Sequence, residues 1–539
     1  MYLVCTVKKE ASASFLLLLL LQATATISCM LCCVLLTILT TKLIFMPILK
    51  PSLVLQQLTL LRYLASLKYL AIFSFVALIV LLPSVQFMPK YIIWFNDRQR
   101  LIELLLLSFV LLDSLLNGLL IKRDLLAVPQ QLRHAFFALL ALASISAYFA
   151  HSSRQACIEI SVFAGLCYLS LFVARLYTDN KQKFITHISY ALWASILLYM
   201  LSFYTGYITA AVFKTPVQWP LPFTGFTNVR SFNQYQLWSL GLIVLPLLAF
   251  DLKNNTRRWL HLALAGWWVL LFYSASRGIL LAWFAGMLTI AFVYRKLAWP
   301  FLRLQFINII AGYCGYYVLF KVMPALLQTT LVTGTVIRDT ANDRIALWDQ
   351  ALILIKGFPI FGVGPMHYAW YNPTNGHPHN SVLQLAAEWG LPATLIVLTI
   401  AGNGMTCWLK RFNANKLQTQ SKLDNSLLDC NLAMILFFTL ITNAAYSLVD
   451  GVIVSPISQV MMFTIIGLMI GQYTFRHSNV IENKPITHKP KFRPIFAGLV
   501  LAAMVWSTLP EIMQGLAGNE KGFSMGYVAE GPRFWREIK

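Results

Sequence analysis

Charge is scarce in this sequence: 12% of its 539 residues are Asp, Glu, Lys or Arg, and only 20 are acidic. With 58% hydrophobic residues and a mean hydropathy of +0.67, a water-soluble globular domain is excluded and a polytopic membrane protein is implied. Strand-type alternation is missing at any useful length. Because hydrocarbon offers no water to the backbone, only helices or closed barrels can span it, so the fold class is all-α. The nine cysteines lack metal-ligand spacing, and most, including Cys29, Cys32, Cys33, Cys157 and Cys167, lie inside apolar runs. They read as small core residues rather than ligands or disulfides. A Walker loop, GxGxxG, HExxH and paired metal-binding aspartates are all absent from any suitable context, so neither a cofactor nor a metal is expected. The shortage of acid leaves a net charge of +22. Its basic residues occupy short loops between apolar runs, which marks topology and anionic-lipid contact rather than nucleic-acid binding.

What the sequence does have is apolar stretches of about 17 to 25 residues, the length that crosses a hydrocarbon core of roughly 30 Å. They begin near Tyr69, Leu101, Ala135, Cys157, Ile188, Tyr235, Trp259, Gly278, Phe306, Asn380, Leu427, Ile457 and Pro494, with another between Phe15 and Met46. Lys and Arg collect in alternate loops: Lys122, Arg123 and Arg133; Lys181 and Lys183; Lys253, Arg257 and Arg258; Arg295, Lys296 and Arg303; Lys410, Arg411, Lys416 and Lys422; and 475–493. These loops are expected in the cytoplasm. The pattern predicts a twelve-helix core, nine helices before a long exoplasmic loop at 324–378 and three after it. Domain boundaries follow: a hydrophobic segment and cytoplasmic linker at 1–68, a membrane catalytic core at 69–475, and a basic linker, extra transmembrane helix and tail at 476–539. The segment at 15–46 would leave Lys8 and Lys9 outside if it crossed once, so a hairpin, a re-entrant segment and a misassigned start all stay open. It does not read as a cleaved signal peptide.

Inside the long loop, Ile345, Trp348, Leu352 and Ile355 recur at helical spacing after Thr340-Ala341-Asn342, predicting an amphipathic surface helix. Gly357-Phe358-Pro359 and Gly362-Val363-Gly364-Pro365 end it, and Trp370 and Tyr371 suit an interfacial anchor. Asn375-Gly376-His377-Pro378 then makes a turn that delivers His379 and Asn380 to the next helix.

Several side chains there can carry chemistry. Arg277, Arg338 and Arg344 fall on the exoplasmic side, and guanidinium groups pair bidentately with phosphate oxygens, so a diphosphate is the ligand they suit. The alternatives are a snorkelling anchor for Arg277 and a solvated helix face for Arg344. His379 and His377 offer imidazoles able to accept a proton near neutral pH, with His379 favoured as general base because it opens the helix; capping or packing is the competing role. Glu388 lies nine residues further on. On a regular helix that is about 900° and about 13.5 Å, so it is expected to meet a neighbouring helix or Arg277 instead. Arg230, Asn233, Gln234 and Gln236 form a polar cluster suited to sugar hydroxyls, and Asp450 sits in a turn where it could pair with an arginine or a histidine. With no nucleotide-handling motif, the substrate must arrive activated, and outside the cytoplasm a lipid-linked diphosphate supplies the leaving group.

Taken together these residues resemble the O-antigen ligase superfamily, which includes lipid A-core:O-antigen ligases, O-antigen polymerases and O-linked protein oligosaccharyltransferases. The likeness rests on Ser276-Arg277-Gly278 with Leu281, on Arg344, Trp348 and Gly362-Val363-Gly364, and on His379-Asn380 with Leu383, Glu388 and Gly390, across roughly 220–460. The resemblance implies an undecaprenyl-diphosphate-linked glycan as donor, Arg277 and Arg344 on its diphosphate, and His379 activating an acceptor hydroxyl. It implies transfer with inversion and without a metal. Asn380, Glu388 and Asp450 would support the site. The acceptor is lipid A-core or a protein Ser/Thr, the setting a bacterial inner membrane with the site facing the periplasm, and the context lipopolysaccharide biosynthesis or protein glycosylation. An O-antigen polymerase is the other enzyme reading. A transporter of lipid-linked sugar is the reading from another class, although the internal repeats typical of transporters are not visible.

Overall fold

The computed structural model describes residues 67–84, 95–116, 130–215, 342–372, 376–413, 427–481 and 492–516, and most of 217–332. The hydrophobic segment at 15–46, Arg338, the basic linkers and the tail through Trp535 lie outside the described residues. Those described fall in one compact unit, Ser66–Ser84 with Lys90–Lys539.

The unit is helical. In chain order its helices are α1 (Leu67–Leu81), α2 (Phe95–Leu116), α3 (Gln130–Phe149), α4 (Ser153–Asp179), α5 (Lys181–Val212), α6 (Val229–Leu242), α7 (Leu245–Ala249), α8 (Asn254–Tyr273), α9 (Arg277–Tyr294), α10 (Trp299–Tyr317) and α11 (Met323–Leu327). Then come α12 (Asn342–Gly357), α13 (Tyr368–Tyr371), α14 (Ser381–Trp389), α15 (Leu391–Arg411), α16 (Leu427–Tyr446), α17 (Pro456–Ile481) and α18 (Phe492–Leu516). One extended pairing occurs among the described residues, a parallel match of Val217 with Leu331 and Gln218 with Val332. Two residues per strand close a loop and leave the class all-α.

Among the described residues, seven helical stretches are long and apolar enough to cross a membrane. One of them, Arg277–Leu327, is broken by a 3-10 turn at Arg295–Ala298, where Arg295 has a φ of 51°. Each part, 18 residues in α9 and 19 in α10, reaches spanning length by itself. The span expected from Asn380 is displaced. Gly390, with a φ of 84°, ends α14 after nine residues, and the apolar stretch long enough to cross is Leu391–Arg411.

Small residues set how closely the helices approach. A Cβ on Gly467 would come within 2.6 Å of the Ser170 carbonyl oxygen, and Ser170 Oγ donates to the Phe463 carbonyl, so α4 and α17 meet backbone to backbone. Helix α16 is wedged between α6 and α9 by the same device: Cβ atoms on Gly241 and Gly286 would collide with Thr439 and Thr442 at 2.2 Å. That wedge fixes where the connection 447–455 emerges. Charges among the helices are paired, Arg175 with Asp113 and Lys181 with Asp429, as a low-dielectric setting demands. The carboxy-terminal α18 packs on α2 and α4, with Arg154 donating to the Ser507 carbonyl at 2.7 Å.

Helix α12 forms where the amphipathic helix was expected, but its buried side differs. Leu347, Ala351 and Leu354 pack with Val363, Tyr368 and Ala387, while Ile345 and Leu352 stay exposed. The reason is tertiary: α14 covers an adjacent stripe, against which Ile355 also packs.

Candidate functional site

The site is built where the turn before α14 meets the connection between α16 and α17. Asn380 caps α14, its Oδ1 accepting from Val382 N at 3.0 Å and Leu383 N at 3.1 Å. His379 therefore lies just outside the helix rather than in its first turn. Its φ of 52° is a left-handed conformation that costs a non-glycine residue about 1 to 2 kcal/mol. Three contacts hold it there. Its amide donates to His377 Nδ1 at 3.2 Å, the two rings pack edge to face at 4.2 Å, and the following Ser381 amide donates to the Ser447 carbonyl at 2.8 Å. His377 in turn lies against Gly451, where a Cβ would come within 2.4 Å of the ring. A larger residue after Asp450 would displace it.

Only 7% of His379 is exposed. Nδ1 lies 3.4 Å from Asp450 Oδ1, and Nε2 lies 3.0 Å from Arg230 Nη1. A guanidinium has no acceptor, so Nε2 must accept; an ionised carboxylate has no donor, so Nδ1 carries the proton. The imidazole is therefore neutral, with its basic nitrogen turned toward Arg230.

Asp450 is itself tightly held. It accepts from Gly451 N at 2.7 Å, from Tyr446 Oη at 2.5 Å and from Gln234 Nε2 at 3.4 Å. Burial by itself would raise its carboxyl, but the hydrogen bonds from His379 and Tyr446 and the positive charge of Arg230 outweigh burial and hold it well below the usual carboxylate range. Asp450 thus stays ionised beside the imidazole.

Tyr446 links this pair to the Arg277 turn. Its hydroxyl also engages Ser276, and its ring sits so close to Gly278 that a Cβ there would be 3.0 Å away. Arg277, exposed at the start of α9, thereby stands next to the tyrosine that holds Asp450. From the other side, Trp348 Nε1 donates to the Pro378 carbonyl at 3.0 Å and ties α12 to the histidine turn. Arg344 lies one turn before Trp348 on the same face of α12. Both arginines are thus carried by elements anchored to the histidine turn or its partners.

Other expected residues have structural duties. Glu388, 1% exposed, accepts from Tyr368 N at 3.1 Å and Gln384 Nε2 at 3.4 Å, so it fastens the 362–368 loop across α14. Gln236 donates to the Trp267 carbonyl at 2.7 Å, on the side of α6 away from Arg230. Asn233 shares the Arg230 side; it is buried, and its Oδ1 has no hydrogen-bond partner among the described residues. Sequence reading missed Tyr446 and gave Gln234 no role of its own. Their signal was weak, since a tyrosine four residues before an aspartate at a helix end has many ordinary uses. No cluster of three or more His, Cys, Asp and Glu able to hold a metal occurs among the described residues.

A multi-pass membrane protein in which the exposed Arg230 meets a buried His–Asp pair at the ends of its helices defines the class. Residues 261–398, which include Arg277, Arg344, His377 and His379, match the family model described as O-Antigen ligase, in agreement with the resemblance of the chain's motifs to that superfamily. No curated protein matches the chain.

Proposed function

We propose that the protein is an inner-membrane glycan ligase that transfers an oligosaccharide or O-antigen from undecaprenyl diphosphate to an acceptor hydroxyl, of lipid A-core in preference to a protein Ser or Thr. The observation that carries this reading is the buried His379 ring held between Asp450 at Nδ1 and Arg230 at Nε2, in the stretch that matches the family model.

In the proposed reaction the acceptor O–H gives its proton to His379 Nε2 while its oxygen attacks the anomeric carbon of the donor. The bond from that carbon to the phosphate oxygen breaks with inversion, and the electron pair leaves on polyprenyl diphosphate. Arg277, Arg344 and Arg338 neutralise charge on the departing diphosphate, and the imidazolium formed is stabilised by Asp450 until it releases its proton to solvent. Asn233, with an amide oxygen to spare beside Arg230, is suited to a sugar hydroxyl. The 3.4 Å separation of His379 and Asp450 is long for a hydrogen bond and is expected to shorten once imidazolium develops.

The scarcity of Lys and Arg in 324–378 supports a periplasmic site, and the alternation of basic loops supports a twelve-helix core. Purified protein given an undecaprenyl-diphosphate oligosaccharide and lipid A-core is expected to form a glycosidic product. His379→Ala should lose that product and still bind the donor. Product only on a second lipid-linked glycan would make it a polymerase, and donor translocation with no product on any acceptor would make it a transporter.

A further inference from the structure

We infer that Arg230 guards the base: its guanidinium occupies His379 Nε2 until the diphosphate of a bound donor draws it away, so that the proton acceptor is exposed only when a leaving group is present. The inference rests on the reading of His379 as general base. Nε2 cannot take a proton from an acceptor hydroxyl while it accepts from Arg230 Nη1 at 3.0 Å. Either the arginine moves or the histidine is idle.

Three observations favour movement of the arginine. His379 is fixed on every side, by the His377 ring, by Asp450 and by the Asn380 cap that follows it. Arg230 is exposed and sits in the first turn of α6, where its backbone amide is already satisfied by Asn228 Oδ1 at 2.9 Å. Its side chain can swing without disturbing the helix. Finally, its partner is a poor competitor. A neutral imidazole offers one lone pair, whereas a diphosphate offers paired anionic oxygens that match the guanidinium fork. The Arg277 turn, joined to Asp450 through Tyr446, would hold such a diphosphate nearby.

The consequence is an order of events. Donor binding precedes activation of the acceptor, and the base is masked against water and stray hydroxyls while the donor is absent.

The test uses full-length protein in detergent and follows carbethoxylation of His379 by diethylpyrocarbonate, which reacts at an unprotonated, unoccupied imidazole nitrogen, with the modified peptide quantified by mass spectrometry. The probe is a glycan-free polyprenyl diphosphate. In the wild type, His379 modification should accelerate by about tenfold when the probe is added, the order expected for loss of one charge-assisted hydrogen bond. Arg230→Ala should react at the fast rate with or without the probe, and Arg230→Lys should fall between. An unchanged or slower wild-type rate on adding the probe overturns the proposal, as does an Arg230→Ala variant that reacts no faster than wild type without it. The wild-type comparison needs no variant to fold. The readout is also independent of transfer: product lost in His379→Ala with probe-insensitive reactivity would sink the guard and leave the ligase reading standing, and reactivity as described with no product on any acceptor would do the reverse.

Discussion

At the scale of single residues, the chemistry depends on Asp450 remaining an anion in a buried position. Its oxygens are met by the Gly451 amide, the Tyr446 hydroxyl, Gln234 and His379. Asp450→Asn keeps the shape but lets the amide donate as well as accept, so the Nδ1 proton of His379 is no longer enforced. Transfer is expected to fall by about 10²- to 10⁴-fold, with the protein still folded; initial rates on a lipid-linked donor check this. The same carboxylate has a signature in stability. Because its folded-state value is depressed, its stabilisation is complete above the ordinary aspartate value of roughly 3.9 and is lost as the pH falls below that. The thermal stability of the wild type should therefore exceed that of Asp450→Asn at pH 6, with the margin shrinking toward pH 3 in a melting series. Sequence reading named His379, Asp450 and Arg230 as candidates, yet it gave Arg230 to a sugar and left Asp450 between two roles. Which groups touch depends on the meeting of segments about 70 and 150 residues apart along the chain, and no local pattern encodes that.

At the scale of elements, the break between α14 and α15 does the positioning. Glycine at 390 is required twice over. Its φ is 84°, and a Cβ would come within 2.1 Å of the Ile360 carbonyl oxygen. The break lets α14 lie beside the 359–368 loop, with the Leu391 amide donating to the Pro359 carbonyl at 2.9 Å and the Gly364 amide to the Glu388 carbonyl at 2.9 Å. Gly390→Ala is expected to cost about 2 to 5 kcal/mol, read as a lower melting temperature or loss of a monodisperse peak. The loop punctuation at Gly357-Phe358-Pro359 was legible, because glycine and proline act locally; the break at Gly390 was not. Glycine followed two residues later by proline inside an apolar run reads as a tolerated interruption of one span, and only the packed 359–368 loop makes it a boundary.

At the scale of the whole molecule, the wedge of α16 between α6 and α9 determines that the Asp450 turn, the Arg230 end of α6 and the Arg277 turn come together. Gly241 and Gly286 permit it by removing side chains where threonines press in. Sidedness can be measured directly. A cysteine at Ile345 should react with a membrane-impermeant maleimide in intact spheroplasts, and one at Lys410 only after permeabilisation; labelling of both or neither from outside would refute the proposed topology. The sequence by itself determined the solvent and the class: hydrophobic length, too few charges for water, basic residues in alternate loops and the motifs that resemble the superfamily are all properties of composition and order. What only the tertiary structure decided is the company each polar group keeps. In an apolar interior, buried groups must find partners wherever the packing of small residues brings them. So the arginine that meets the histidine, the tyrosine that joins Asp450 to the Arg277 turn and the side of α12 that is covered all follow from helix contacts far apart in the chain.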